Sequence, residues 1–153
     1  MRKIKIVFLV LSLAFIALQF FRPTKNIASA SITTDDISQA YTIPAEVQQL
    51  LQAACYDCHS NNTQYPWYTN IQPVGWFMAA HIKNGKADLN FNEFGKYSAK
   101  RKHNKLKRMK EQILSSNMPL PSYRLLHPEA RLTTAQQIQI INWIDSTLNG
   151  YTK

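Results

Sequence analysis

The feature that most limits how this chain can fold stands at its start, where the one long apolar run extends from Ile6 to Phe21, broken only by Ser12 and Gln19. The basic segment Met1-Arg2-Lys3-Ile4-Lys5 precedes it. A secretory signal carries about 7–15 apolar residues before a small-residue cleavage site, and a spanning helix needs about 20. This run falls between the two. Ala28-Ser29-Ala30 suits a signal peptidase, but it stands beyond Arg22, Pro23, Lys25 and Asn26, far from the apolar core. Residues 1–23 are therefore read as an uncleaved transmembrane anchor, with a cleaved signal as the alternative. On either reading the positive flank stays in the cytoplasm and the rest is carried across. The expected location is the cytoplasmic membrane, single-pass, with the working domain in the periplasm or another extracytoplasmic space.

What remains is enough for one domain. Residues 24–42 are polar and without sustained period, which predicts a tether, so residues 43–153 form the folded part. Four helices are expected there. Pro44-Ala45-Glu46 suits a first turn, with Val47, Leu50, Leu51 and Ala54 on one face. A second helix begins at Pro73, turns Val74, Phe77, Met78 and Ile82 inward, and ends near Gly85. Ser98 caps a third, with Leu106, Met109 and Ile113 at helical spacing, and Asn117-Met118-Pro119-Leu120-Pro121 stops it. The last opens on a capping box at Thr133 or Thr134 and points Ile138, Ile141, Ile144 and Leu148 inward. No strand-like alternation competes, so the fold class is all-α.

The whole chain has a formal charge of +9, but Arg2, Lys3, Lys5, Arg22 and Lys25 belong to the anchor and its flanks. Residues 31–153 carry 13 Lys and Arg against 9 Asp and Glu, a net of +4. With the domain exported, nucleic acid is not the expected partner. Lys96 to Lys110 holds eight basic residues and no acid. Such a run is either the solvated face of a helix or a docking patch for an acidic redox partner or for membrane phosphates.

The chemistry concentrates in Cys55-Tyr56-Asp57-Cys58-His59. C-x-x-C-H is the attachment pattern of haem c, in which two thiols at this spacing reach the two vinyl groups and the adjacent histidine becomes the proximal iron ligand. Three other uses compete. A disulfide closing so short a loop stabilises little, a thioredoxin-like pair wants a βαβ context, and zinc wants two more ligands at suitable spacing. A haem that only passes electrons needs a sixth ligand, and Met78, Met109, Met118, His81, His103 and His127 are the candidates. Met78 and Met109 occupy apolar helix positions where methionine packs, and His103 lies in the basic run. Met118 sits in a proline-stiffened extended segment before the last helix, which makes it the favoured distal ligand. Tyr65, Trp67, Tyr68, Trp76 and Phe77 are available to wall the porphyrin.

Taken with Ser60-Asn61-Asn62, Tyr65-Pro66-Trp67-Tyr68, Ile71-Gln72-Pro73-Val74, Leu89-Asn90-Phe91 and Met118-Pro119-Leu120-Pro121-Ser122-Tyr123, the pentad resembles the bacterial haem-binding domain family, which is single-haem and cytochrome c-like. The resemblance covers roughly residues 43–150. It implies one covalent haem c held through Cys55, Cys58 and His59, within a cytochrome c-like helical domain, and supports Met118. The chemistry then predicts a one-electron carrier serving a redox partner protein rather than an enzyme. The alternative is a sensor or peroxidase-like enzyme with an open iron site.

Overall fold

The computed structural model describes residues 1–28 and 33–150. Ser29 and Ala30 of the candidate cleavage site, and a mature start at Ser31, lie outside the described residues. The architecture is all-helical, and among the described residues the nearest thing to a sheet is a single antiparallel bridge between Ile27 and Asn62. Among the described residues, eight α-helices run in the order α1 (Arg2–Leu18), α2 (Ile37–Ala40), α3 (Ala45–Ala54), α4 (Tyr56–His59), α5 (Val74–Asp88), α6 (Ala99–Leu114), α7 (Pro121–Leu126) and α8 (Thr134–Gly150). Short 3-10 turns at Trp67–Asn70, Phe91–Lys96 and Pro128–Ala130 connect them.

The helix starts follow their capping chemistry. The Ser98 side chain accepts from the Arg101 amide at the head of α6. Gln136 returns its Oε1 to the Thr133 amide at 2.8 Å ahead of α8, closing a capping box. α6 and α8 lie along one another, α3 packs on α8, and α4 packs on α5. Leu51, Leu106, Ile140 and Ile144 meet Phe91, Phe94 and Ile37 in the core.

The expected stripes on α3 and α6 face the core, with Val47, Leu51, Ala54, Leu106, Met109 and Ile113 all buried. On α8 the buried stripe is Ile140, Trp143 and Ile144, while Ile138 is half-exposed. Five of the seven residues from Ile138 to Ile144 are apolar, so two adjoining faces satisfy the period equally. Trp143 decides between them, since its Nε1 donates to the Thr42 carbonyl at 3.1 Å while its rings pack inward. On α5, Val74 and Phe77 are exposed and only Gly75 and Ile82 are buried.

The stretch 24–42, expected to be a tether, is bound to the domain on both sides of the undescribed residues. Asn26 donates through Nδ2 to the Ser60 carbonyl and to Thr63 Oγ1, each at 2.9 Å. Asp36 is buried, caps α2 through the Ser38 amide, and accepts from Asn92 Nδ2 at 2.7 Å. Ile37 is wholly buried. The folded part therefore begins before Ile43.

α1 has 17 residues, none of them buried. Among the described residues, no helix is long and apolar enough to cross a membrane. Just past its end, the Gln72 amide donates to Gln19 Oε1 at 2.8 Å and Trp76 Nε1 donates to the Phe21 carbonyl at 2.6 Å, fixing α1 to the start of α5.

Candidate functional site

The pentad forms the single helical turn α4, with the Cys58 and His59 amides both donating to the Cys55 carbonyl, at 3.2 and 3.0 Å. The turn is wedged against α5. A Cβ built on Gly85 would stand 2.6 Å from the Cys58 carbonyl oxygen, so only glycine lets the two backbones approach this closely.

His59 Nδ1 lies 2.9 Å from the Leu89 carbonyl. A carbonyl can only accept, so Nδ1 carries the proton and Nε2 keeps its lone pair for a metal. Burial holds the His59 pKa below the ordinary histidine range, against the opposing pull of that carbonyl, so the ring is neutral at physiological pH. Both thiols are pushed the other way. Burial, then the charge of Cys58, raises Cys55 to about 12, and burial, then Asp57, raises Cys58 to about 11. A thioredoxin-type nucleophile needs a lowered pKa, so this pair is unsuited to disulfide exchange.

Above α4 lies a cavity of two adjoining lobes, of about 220 and 240 Å³, a size suited to a cofactor. Ala54, Cys55, His59, Asp88, Met118 and Pro119 line both lobes. Cys58, His81, Gly85 and Tyr123 close the second, and Phe91, Ile113, Leu132, Lys105 and Arg108 close the first. The favoured ligand pair, His59 and Met118, is thus brought to one space with both thiols at its wall.

Met118 is positioned by the end of α6. Ser116 takes a left-handed φ of 57°, its amide donates to the Ile113 carbonyl at 3.0 Å, and the Asn117 amide donates to the Gln112 carbonyl at 3.1 Å. This is a Schellman cap with serine where glycine is usual. The Met118 amide donates to the same Gln112 carbonyl at 3.2 Å. Asp57, inside the pentad, reaches the far side of this segment by accepting from the Tyr123 hydroxyl at 2.7 Å.

The other sixth-ligand candidates separate cleanly. His127 is buried and engaged elsewhere, with Nε2 3.0 Å from the Tyr68 hydroxyl, Nδ1 3.0 Å from the Tyr123 carbonyl, and its ring stacked on Tyr123. His103 and Met78 do not line the cavity, and Met109 lines it as a buried core residue. His81 lines the second lobe, with its Nδ1 2.8 Å from the Phe77 carbonyl. Of the aromatic residues expected as walls, Tyr65, Trp67, Tyr68, Trp76 and Phe77, none lines either lobe, and Phe91 and Tyr123 do so instead. Trp67 is 75% exposed. Its segment is a 3-10 turn held to α5. The Leu89 carbonyl and Gly85 are the site residues that side-chain reasoning missed; Leu89-Asn90-Phe91 does figure in the family resemblance.

Among the described residues no group of three or more His, Cys, Asp or Glu is placed to hold a metal ion. A largely apolar cavity flanked by a neutral imidazole and a thioether, with two protonated thiols at its wall, offers the donor chemistry a haem takes, and the fold and site are those of a small helical haem-binding domain. The chain belongs to the haem-binding domain family, whose model matches residues 13–146. Neither the comparison with curated proteins nor that with solved structures found a match.

Proposed function

We propose that this haem-binding domain holds one haem c, attached through Cys55 and Cys58, ligated by His59 and Met118, and used for one-electron transfer. The observation that carries the reading is that His59 and Met118 line both lobes of one cavity whose wall includes Cys55. The bound group would supply reversible one-electron chemistry at iron. The chain's own residues do the rest. Cys55 and Cys58, both kept protonated, would hold the group through thioethers, each S–H being added across one vinyl double bond. The Leu89 carbonyl orients His59, and the Gln112 carbonyl holds the Met118 backbone.

Covalent attachment is tested by acid-acetone extraction of purified protein, which is expected to leave the haem on the chain; extracted haem would refute it. Ligation by Met118 is tested by the near-infrared sulfur-to-iron absorption of the ferric protein. A high-spin ferric spectrum would instead favour the sensor or peroxidase-like reading. One observation favours a different ligand set, since His81 lines the same lobe as Met118. A low-spin spectrum without the sulfur band would move the assignment there.

The proposal extends to place and partner. α1 is read as the hold on a membrane, with the haem domain outside. Its 17 residues cover about 25 Å, short of the roughly 30 Å of hydrocarbon. Support comes from the continuation of the apolar run to Phe21, the basic flank, and the partly exposed Trp76, whose Nε1 donates to the Phe21 carbonyl and which suits an interfacial position. Retention of the full chain in membranes after a high-salt wash is expected, whereas release of a fragment starting at Ser31 would show a cleaved signal. The partner is read as an acidic redox protein that docks on α6. Lys100, Arg101 and Lys107 are exposed along that helix, and Lys105 and Arg108 reach the cavity rim.

A further inference from the structure

Lys105 and Arg108 are the basic residues that line the cavity, and both are held by one acid. Lys105 Nζ donates to the Asp88 carbonyl and, at 3.3 Å, to its Oδ1; Arg108 donates to the same Oδ1 at 2.9 Å. The Lys105 side chain is only 14% exposed, whereas that of Arg108 is 57% exposed and stands at the rim. Two cations on one carboxylate leave a surplus positive charge at the edge of an apolar slot. A largely buried lysine is costly unless well paired.

We propose that Lys105 and Arg108 bind the propionate carboxylates of the haem. The inference deepens the haem-binding reading and rests on it. A haem carries its two vinyl groups at one edge and its two propionates at the other. Cys58 lines only the second lobe, which holds Asp57 and no lysine or arginine, so a carboxylate directed there would meet like charge; Asp88 lines both lobes, but its carboxylate is paired with the two cations of the first. Lys105 and Arg108 line only the first lobe, away from Cys58. With the vinyl edge at the thiols, the anionic edge is directed toward the two cations. Arg108, one turn beyond Lys105 on α6, presents a fork suited to a carboxylate, and Gln112 adds an amide on the same wall.

The test uses the full haem-loaded chain and two readouts, the propionate bending band in the resonance Raman spectrum and the reduction potential. Lys105→Gln and Arg108→Gln are each expected to shift the band and lower the potential, because removing positive charge near the iron favours its ferric form. Arg108→Lys keeps the charge and loses the fork, so the band shifts while the potential holds. Asp88→Asn removes the opposite charge and raises the potential. A band unmoved in both glutamine variants overturns the proposal and leaves the two cations as a clamp on Asp88. Should Lys105→Gln fail to fold, Arg108→Gln at its exposed side chain still decides. A wild-type chain that takes up no haem overturns this inference and its parent together, and is told apart because it shows before any substitution is made.

Discussion

The two sides of the cavity are built by different means. On the His59 side helix ends and close contact do the work: one turn and its cap carry both thiols and the imidazole, Gly85 lets α5 touch its backbone, and the Leu89 carbonyl just past α5 fixes the ring. On the Met118 side a loop does the work, held by one carbonyl at the end of α6 and by the Tyr123–Asp57 hydrogen bond further on. The first wall offers its ligand one position. The second has fewer backbone restraints, so on the proposed ligation it would govern how firmly a sixth ligand is held, and with that both potential and access to the iron.

The sharpest way to break this contrast is to remove the two proposed ligands in turn. His59→Ala is expected to prevent accumulation of haem-loaded protein, read as loss of the Soret band against total protein. Met118→Ala should keep the haem, lose the sulfur-to-iron band, lower the potential and open the iron to CO, checked by redox titration and CO difference spectra. A Met118→Ala protein with an unchanged low-spin spectrum and potential would remove Met118 from the site and bring His81 forward.

Gly85→Ala probes the rigid wall without touching a ligand. Alanine gains about 1 kcal/mol of helix propensity, but its Cβ would meet a backbone oxygen at 2.6 Å, and relieving such overpacking costs about 1–3 kcal/mol. The clash wins, so denaturant melts should show net destabilisation. A gain in stability would mean that α4 and α5 are not locked together.

Alkaline stability separates the thiols from their surroundings. Burial first, with Asp36 and Cys55 adding to it and a hydrogen bond from Gln48 opposing, raises Tyr56 from 10.0 to about 12. Burial and Asp57 push Tyr123 up as well. A raised folded pKa means stability that is complete below the unfolded value and lost as pH climbs toward the folded one. The haem-free chain should weaken from about pH 9, where unfolded cysteines ionise, and the thioether-bound protein only from about pH 10. Tyr56→Phe should flatten the second decline. Identical alkaline profiles for the two forms would argue against thioether bonds.

What was legible in the sequence follows the same contrast. Cys55, Cys58 and His59 are side chains in a local pattern, and the heads of α3, α6 and α8 are written in Pro44, Ser98 and Thr133. The Leu89 carbonyl is a backbone atom delivered by the end of α5, which no side-chain rule finds. The buried face of α8 was ambiguous because Ile138, Ile140, Ile141, Trp143 and Ile144 satisfy two stripes at once. α2 escapes the sequence reading because Ile37, wholly buried, is a lone apolar residue in polar sequence that packs with Phe91 and Phe94, far along the chain. Trp67 and Phe77 misled in the opposite sense, since aromatic residues are core by default and these two are exposed.

The smallest expected effect lies at the loop wall. Ser116 closes the Schellman cap of α6 with a φ of 57°, a conformation costing an L-residue about 1–2 kcal/mol that glycine avoids. Glycine loses more chain entropy on folding, which returns part of that gain. Ser116→Gly should therefore raise stability by about 0.5–1 kcal/mol, measured as a shift in denaturant midpoint at constant slope. Because the Asn117 and Met118 amides both end on Gln112, the substitution keeps the geometry that presents Met118, and the potential should not move. Ser116→Pro is the counterpart. It fixes φ near −65° and removes the amide that donates to the Ile113 carbonyl, so the cap opens and the segment carrying Met118 is released. A proline variant with an unchanged sulfur-to-iron band would show that the cap does not position Met118, and the contrast between the two walls would then rest on the Tyr123–Asp57 hydrogen bond alone.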